Sequence, residues 1–125
     1  MVLLQVKTEQ NNIFIRGFKM SGRLGAQDLL PLLNTFIYMV PENKISTFNI
    51  SVCNRNTEEA LIRLATTLPE ITVPTPKDYI EYDVELLPNQ VLERTGIVLQ
   101  SQYSVYAYSN IDFITVQIWG WEESI

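Results

Sequence analysis

Three carboxylates alternate along one predicted strand, at Glu81, Asp83 and Glu85. Side chains two residues apart on a strand share a face, about 7 Å from one another. Such a row of like charges is stabilised by basic neighbours, a cation or a basic protein partner. The simplest interpretation is a solvated edge that prevents aggregation, and a basic protein partner comes next. A Mg²⁺ or Ca²⁺ site is the least favoured interpretation, because oxygen cages draw ligands from several loops.

The residue types of most catalytic and metal sites are absent from the sequence. The chain has no histidine and one cysteine, Cys53. Histidine is the usual general base near neutral pH and a common metal ligand, and a lone cysteine cannot form an internal disulfide. We therefore expect no enzymatic activity, no metal and no cofactor, and we interpret Cys53 as a small buried residue. A carboxylate-dependent enzyme remains a third hypothesis, although no carboxylate pair stands out.

A basic, glycine-containing segment, residues 16–25, precedes a predicted helix. Helix N-termini bind phosphate, but the glycine spacing fits neither the dinucleotide-binding nor the P-loop pattern. We interpret the segment as the exit loop of a hairpin, with contact to an acidic neighbour as its functional alternative.

Aromatic residues are concentrated in the last third of the chain. Alternation in the last strand places Ile114, Val116 and Ile118 on one face and Trp119 and Trp121 on the other. Exposed tryptophan and tyrosine are enriched in protein interfaces; the alternative is a second covered face of the sheet. The predicted partner-binding residues are Tyr38, Glu81, Asp83, Glu85, Tyr106, Tyr108, Trp119 and Trp121.

These residues are expected to lie in one α+β domain spanning residues 1–125. The predicted element order is ββαβα-β-ββ, a largely antiparallel sheet with two helices. The first helix, 27–40, is apolar nearly all round, so we expect it to face both a core and a second layer or subunit. Its predicted core residues are Leu33, Phe36 and Ile37, and its predicted second-layer residues are Leu30, Tyr38 and Met39.

The second helix is predicted from a capping-box pattern at 56–59, followed by an apolar stripe from Leu61 to Leu68. An extended connector at 69–77 and one helical turn at 89–94 complete the non-strand elements. The predicted strands are 2–6 and 13–20, paired as a hairpin, then 45–53 and 78–87, and finally 97–108 and 113–121, paired through a turn at 109–112.

Charge and composition limit the classes of partner. The net charge is −5. Residues 1–63 carry seven basic and five acidic side chains (+2), and residues 64–125 carry two basic and nine acidic (−7). This balance argues against an extended nucleic-acid surface. No apolar run approaches the roughly 20 residues of a membrane helix.

The single cysteine predicts a cytoplasmic protein, or one assembled into a particle in the cytoplasm. We expect a non-enzymatic assembly or interaction subunit, a protein partner or a homo-oligomer, as in a phage-type virion. The alternative is a small acidic inhibitor or immunity-type protein that docks on a basic enzyme.

Overall fold

The part of the chain that the structure describes folds into two antiparallel β-sheets. The computed structural model describes residues 19–125, with side chains from residue 21 onward. A 3-10 turn, Pro76–Asp78, precedes β5. The strands are β1 (Lys19–Asp28), β2 (Thr35–Met39), β3 (Lys44–Asn54), β4 (Ala60–Thr67), β5 (Tyr79–Leu86), β6 (Val91–Leu99), β7 (Ser104–Ser109) and β8 (Ile114–Ser124).

The strand order has a nested pattern. The first sheet has the order β1-β8-β3-β6 and the second has the order β2-β7-β4-β5. The first strand thus pairs with the eighth, the second with the seventh, the third with the sixth and the fourth with the fifth. Two four-stranded antiparallel sheets connected in this way form a jelly roll.

The predicted α+β class is wrong, because the described residues form strands and contain no α-helix. In place of the helix at 27–40 lie the end of β1, a loop and the edge strand β2. Leu30 and Leu33 in the loop and Phe36 and Met39 in β2 are exposed, whereas Tyr38 is buried and Ile37 is buried as predicted. Apolar loop residues happened to continue the helical spacing, while the β-branched and aromatic run at 35–38 favours a strand.

The second predicted helix is the central strand β4. Its core residues Ala60, Ile62 and Leu64 alternate with outward side chains. The polar residues ahead of it form a side-chain-bonded turn rather than a capping box. The backbone N–H of Asn56 donates to Asn54 Oδ1 at 2.8 Å, and the N–H of Glu58 donates to Asn56 Oδ1 at 3.1 Å. Asparagine stabilises turns in this way.

Three of the predicted strands are confirmed, and other predicted elements are wrong. The strands at 45–53, 78–87 and 113–121 correspond to β3, β5 and β8. The helical turn at 89–94 lies mostly in β6. The predicted strand 97–108 is interrupted by a loop at 100–103, and β7 and β8 lie in different sheets, so they do not form the predicted hairpin.

The predicted opening hairpin lies largely outside the part of the chain that the structure describes. The strand at 2–6 and most of that at 13–20 lie outside the described residues. Residues 21–25, predicted as a loop before a helix, belong to β1 together with Lys19 and Met20, the end of the predicted strand 13–20, and β1 pairs with β8. With no helix following, the phosphate-binding geometry considered for this segment has no structural basis.

One hydrophobic core lies between the sheets. Alternation correctly predicted the inward residues Phe48, Ile50 and Val52 of β3, all essentially inaccessible. Cys53 follows them on the opposite face and is only half-buried. The fully buried side chains of β8 and of the second sheet that complete the core are Ile114, Val116, Ile118, Ile62, Leu64 and Val105.

The last residue of β4 has a buried hydroxyl group whose effect on the free energy of unfolding can be measured. Thr67 is fully buried, and its Oγ1 has no hydrogen-bond partner among the described residues. Valine keeps the β-branched shape and removes the unpaired polar atom, whose burial costs about 1–3 kcal/mol. We expect Thr67→Val to raise the free energy of unfolding by about 1 kcal/mol in urea titrations. The half-buried neighbour Thr66, changed to valine, serves as the control, and a destabilised Thr67→Val protein would contradict the assignment.

Candidate interaction surfaces

The loop between β1 and β2 displays leucines to solvent. We call residues 30–33, Leu-Pro-Leu-Leu, the leucine loop. Leu30, Leu32 and Leu33 are 63%, 66% and 56% exposed. Monomeric soluble proteins seldom expose contiguous apolar residues in this way, and such patches mark interaction sites.

The leucine loop is held in place by backbone bonds to both sheets. The N–H of Leu29 donates to the Ile114 carbonyl at 2.9 Å, and the N–H of Leu32 donates to the Ser109 carbonyl at 2.8 Å. Leu32 has a φ of 65°, a left-handed conformation that costs a residue with a Cβ atom about 1–2 kcal/mol. The fold therefore fixes these side chains in an outward position at some expense of stability.

Apolar exposure continues from the leucine loop along β2, an edge strand of the second sheet. Phe36 and Met39 are exposed there. The Phe36 ring meets the Tyr106 ring edge-on, with centroids 5.9 Å apart. Residues 29–41 include no charged residue. In the contact with Phe36, Tyr106, a predicted partner-binding residue, lies on the outer face of this sheet but is buried.

A second apolar feature lies at the opposite edge of the same sheet. A cavity of about 510 Å³ is lined by Pro74, Pro76, Tyr79 and Tyr82, and we call it the tyrosine–proline pocket. The two tyrosine rings meet edge-on with centroids 5.0 Å apart. Both the N–H and the hydroxyl of Thr75 donate to Asp78 Oδ2, at 2.8 and 2.9 Å. These bonds fix the backbone that carries the two prolines.

An arginine organises the tyrosines next to the pocket. The Arg63 guanidinium lies over the Tyr82 ring at 4.2 Å and over the Tyr108 ring at 4.4 Å. Its Nε donates to Asp83 Oδ1 at 2.6 Å, and this hydrogen bond raises the pKa of Arg63. Stacked cations of this kind contribute about 0.5–1 kcal/mol per ring at exposed sites. Tyr108, predicted to bind a partner, is therefore engaged within its own chain.

The predicted row of three carboxylates on one face of β5 is wrong. A bulge, with Asp83 at a φ of 54°, shifts the register between Ile62 and Leu64 of β4. Glu81 therefore pairs with the core residue Leu64, and its Oε2 accepts a hydrogen bond from Arg94 Nη1 of the other sheet at 2.8 Å.

The other two carboxylates differ in whether a basic residue balances their charge. Asp83 forms the ion pair with Arg63, whereas Glu85 lies near another carboxylate. The charge of Glu85 raises the pKa of the exposed Glu59. Of the three carboxylates on which an inhibitor function would depend, Glu85 is the one without an arginine partner among the described residues.

The two tryptophans lie on the outer face of the first sheet, as the alternation predicted. Trp121 is exposed and Trp119 is half-buried, while Ile114, Val116 and Ile118 face the core. In β3, Thr47 pairs with Trp121 and Asn49 with Trp119. The surface combines large apolar rings with small polar groups on the central part of a sheet.

Tyr38, predicted to contact a second layer or subunit, lies in the core and reaches the opposite sheet. Its hydroxyl donates to Glu122 Oε2 at 2.5 Å and lies 2.6 Å from Ser46 Oγ. Burial, followed by the hydrogen bond to Glu122, raises the pKa of Tyr38 well above its ordinary value. The residue holds the two sheets together and is not available to a partner.

Sequence reasoning missed the leucine loop, the tyrosine–proline pocket and Arg63. Two signals were present in the sequence: the absence of charge from 29 to 41 and the two prolines at 74 and 76 next to tyrosines. Within residues 19–125, no group of three or more histidine, cysteine, aspartate or glutamate residues could hold a metal ion. No helix in that range is long and apolar enough to cross a membrane.

Comparisons of the chain with protein-family models, curated proteins and solved structures give no match.

Proposed function

We propose that the chain is a non-enzymatic structural subunit that assembles through protein contacts, including contacts with copies of itself, into a larger particle. The observation that carries this proposal is the rigid, exposed leucine loop. Three exposed leucines held in place by backbone bonds gain more from burial in an interface than from contact with water.

The strand topology is compatible with this role. Jelly rolls form viral capsid domains, but lectin domains and cupins also adopt them. Fold alone does not define function, so the topology favours a virion-type particle only by analogy. The tryptophan face remains a predicted second contact surface, and assembly in the cytoplasm remains part of the proposal because of the single cysteine.

The acidic inhibitor alternative has less support. Two of its three carboxylates are neutralised by arginines of the same chain. Docking through acidic side chains weakens steeply as ionic strength increases, whereas an apolar contact does not. An oligomer that persists in high salt would therefore favour assembly through the leucine loop.

The test is the native mass of the full chain, measured by light scattering across a range of protein concentrations. We expect an oligomer for the wild type and a smaller species for Leu32→Asn. Asparagine adopts the left-handed conformation more readily than leucine, so the loop backbone is preserved while the apolar side chain is lost. Both proteins should unfold at similar temperatures.

Val98→Thr is the control, because Val98 is an exposed residue of β6, in the other sheet, and threonine has a similar shape. Its native mass should equal that of the wild type. A wild-type chain that stays monomeric at every concentration would overturn self-assembly, and an unchanged mass for Leu32→Asn would show that the leucine loop does not carry it.

A further inference from the structure

We infer that the leucine loop of one copy docks in the tyrosine–proline pocket of a second copy, so that copies join head to tail. This inference rests on the proposed function and specifies the partner of the leucine loop.

The positions of the two features require a contact between copies. The leucine loop leads into β2, and the pocket is built on β5 and the loop before it. These strands form the two outer edges of the same sheet, so the loop cannot reach the pocket of its own chain. A contact between two different surfaces of identical subunits is heterologous and generates a ring or a filament.

Both surfaces are preorganised. Hydrogen bonds from the backbone N–H groups of Leu29 and Leu32 fix the loop, and the bonds between Thr75 and Asp78 fix the pocket wall. The pocket volume of about 510 Å³ lies within the range of binding sites for small apolar groups. Rigid partners lose less conformational entropy when they associate, which favours these two surfaces over other exposed apolar residues.

The distribution of charge also favours this pairing. Two copies of a chain with a net charge of −5 repel each other, so contact is favoured where the surfaces are neutral. Residues 29–41 carry no charge. Next to the pocket, Asp83 is paired with Arg63, and Lys77 and Asp78 of the 3-10 turn carry opposite charges. The head-to-tail arrangement therefore brings an uncharged loop against a pocket region whose neighbouring charges balance.

The contact must extend beyond the leucine loop, because a specific interface buries a larger surface than the loop provides. A specific interface buries about 800 Å² on each partner, which is more than three leucine side chains provide. Exposed apolar residues adjoin both features. Phe36 and Met39 continue the loop surface, and Ile71 and Val73 lie in the segment that leads to the pocket.

The test uses two full-length variants, each of which blocks one half of the contact. Leu32→Asn removes the central leucine of the loop and leaves the pocket intact. Pro76→Glu places a charge in the pocket wall at the first position of the 3-10 turn, where glutamate is tolerated, and it leaves the loop and the Arg63 stack intact. Leu33→Ser is a second loop variant in case Leu32→Asn fails to fold.

Native mass spectrometry, with one variant labelled with ¹⁵N, then distinguishes the arrangements. We expect each variant alone to be monomeric and a 1:1 mixture to form dimers that contain one copy of each and no larger species. Such a dimer retains one intact loop facing one intact pocket. The double variant should remain monomeric, both alone and when it is mixed with either single variant. The Val98→Thr control should form the wild-type oligomer.

The other outcomes are decisive as well. If Leu32→Asn dissociates the oligomer and Pro76→Glu does not, the loop docks elsewhere, which overturns this inference and leaves the proposed function standing. A mixture that remains entirely monomeric also overturns the head-to-tail contact, because an intact loop and an intact pocket would then be present together without binding each other. A monomeric wild type would overturn self-assembly itself.

Discussion

Replacing Gly120 with alanine is expected to lower the free energy of unfolding by more than about 3 kcal/mol. Gly120 lies in β8, the strand that joins β1 to β3. A Cβ atom there would overlap the Thr47 carbonyl oxygen and lie 2.6 Å from Phe48 Cα. Backbone atoms cannot turn away as a flexible side chain can, so the strands must separate. Since domains are stable by only about 5–15 kcal/mol, this loss removes a large fraction of the stability of the fold.

Gly96→Ala separates the effect of overlap from that of backbone conformation. Gly96 has a φ of 70°, and an added Cβ atom would meet no atom within 4 Å. Alanine in a left-handed conformation costs about 1 kcal/mol. Chemical denaturation of the two variants should therefore give clearly different midpoints. Equal losses would show that β3 and β8 adapt to the added methyl group.

The Tyr38→Phe variant is expected to lose about 1.5–3 kcal/mol of stability, the range for a hydrogen bond to a charged group. The change removes the hydroxyl that donates to Glu122, whose side chain is buried. Phenylalanine fills nearly the same volume, so the loss reports the hydrogen bond rather than packing. Tyr103→Phe is the matched control, because the Tyr103 hydroxyl forms no hydrogen bond with the described residues. It should change stability by less than about 0.5 kcal/mol.

The same hydroxyl predicts an alkaline loss of stability. Burial and the hydrogen bond to Glu122 raise the pKa of Tyr38 in the folded state. Below the ordinary tyrosine pKa of about 10, both states hold the proton and the stabilisation is fully present. Above that value the unfolded chain releases its proton first, so stability falls as pH rises. Melting temperatures at pH 9 and 11 should show a smaller decrease for Tyr38→Phe than for the wild type. Equal decreases would exclude Tyr38 as the source.

Alternation was a reliable guide where a strand has one core face and one polar face. In β3, Phe48, Ile50 and Val52 alternate with polar residues, and the same pattern in β8 placed both tryptophans outside. Those strands were predicted because burial on one face leaves a period of two in the sequence. The orientation of the tryptophan face, part of the candidate partner surface, was predictable for the same reason.

The remaining features depend on information that the spacing does not contain. The leucine loop is exposed, yet its leucines extend the apolar pattern of β2 and imitate a helical stripe. In β5 the bulge at Asp83 places Glu81 on the opposite face from the one that simple alternation predicts. An aspartate in the sequence is only a weak predictor of a left-handed conformation, so the bulge could not be predicted. The pairing of the first strand with the last is set by the tertiary fold, because no local signal links residues so distant in sequence.

The nested strand order also has a consequence for biosynthesis. Among the described strands, only β4 and β5 are both consecutive in sequence and paired, so they can form a hairpin as soon as they are synthesised. β8 lies between β1 and β3 but is the last of the described strands to leave the ribosome. Until then, both strands expose unpaired edges that invite pairing with other chains. Folding should therefore be slow, and the nascent chain should depend on protection from aggregation until β8 has been synthesised.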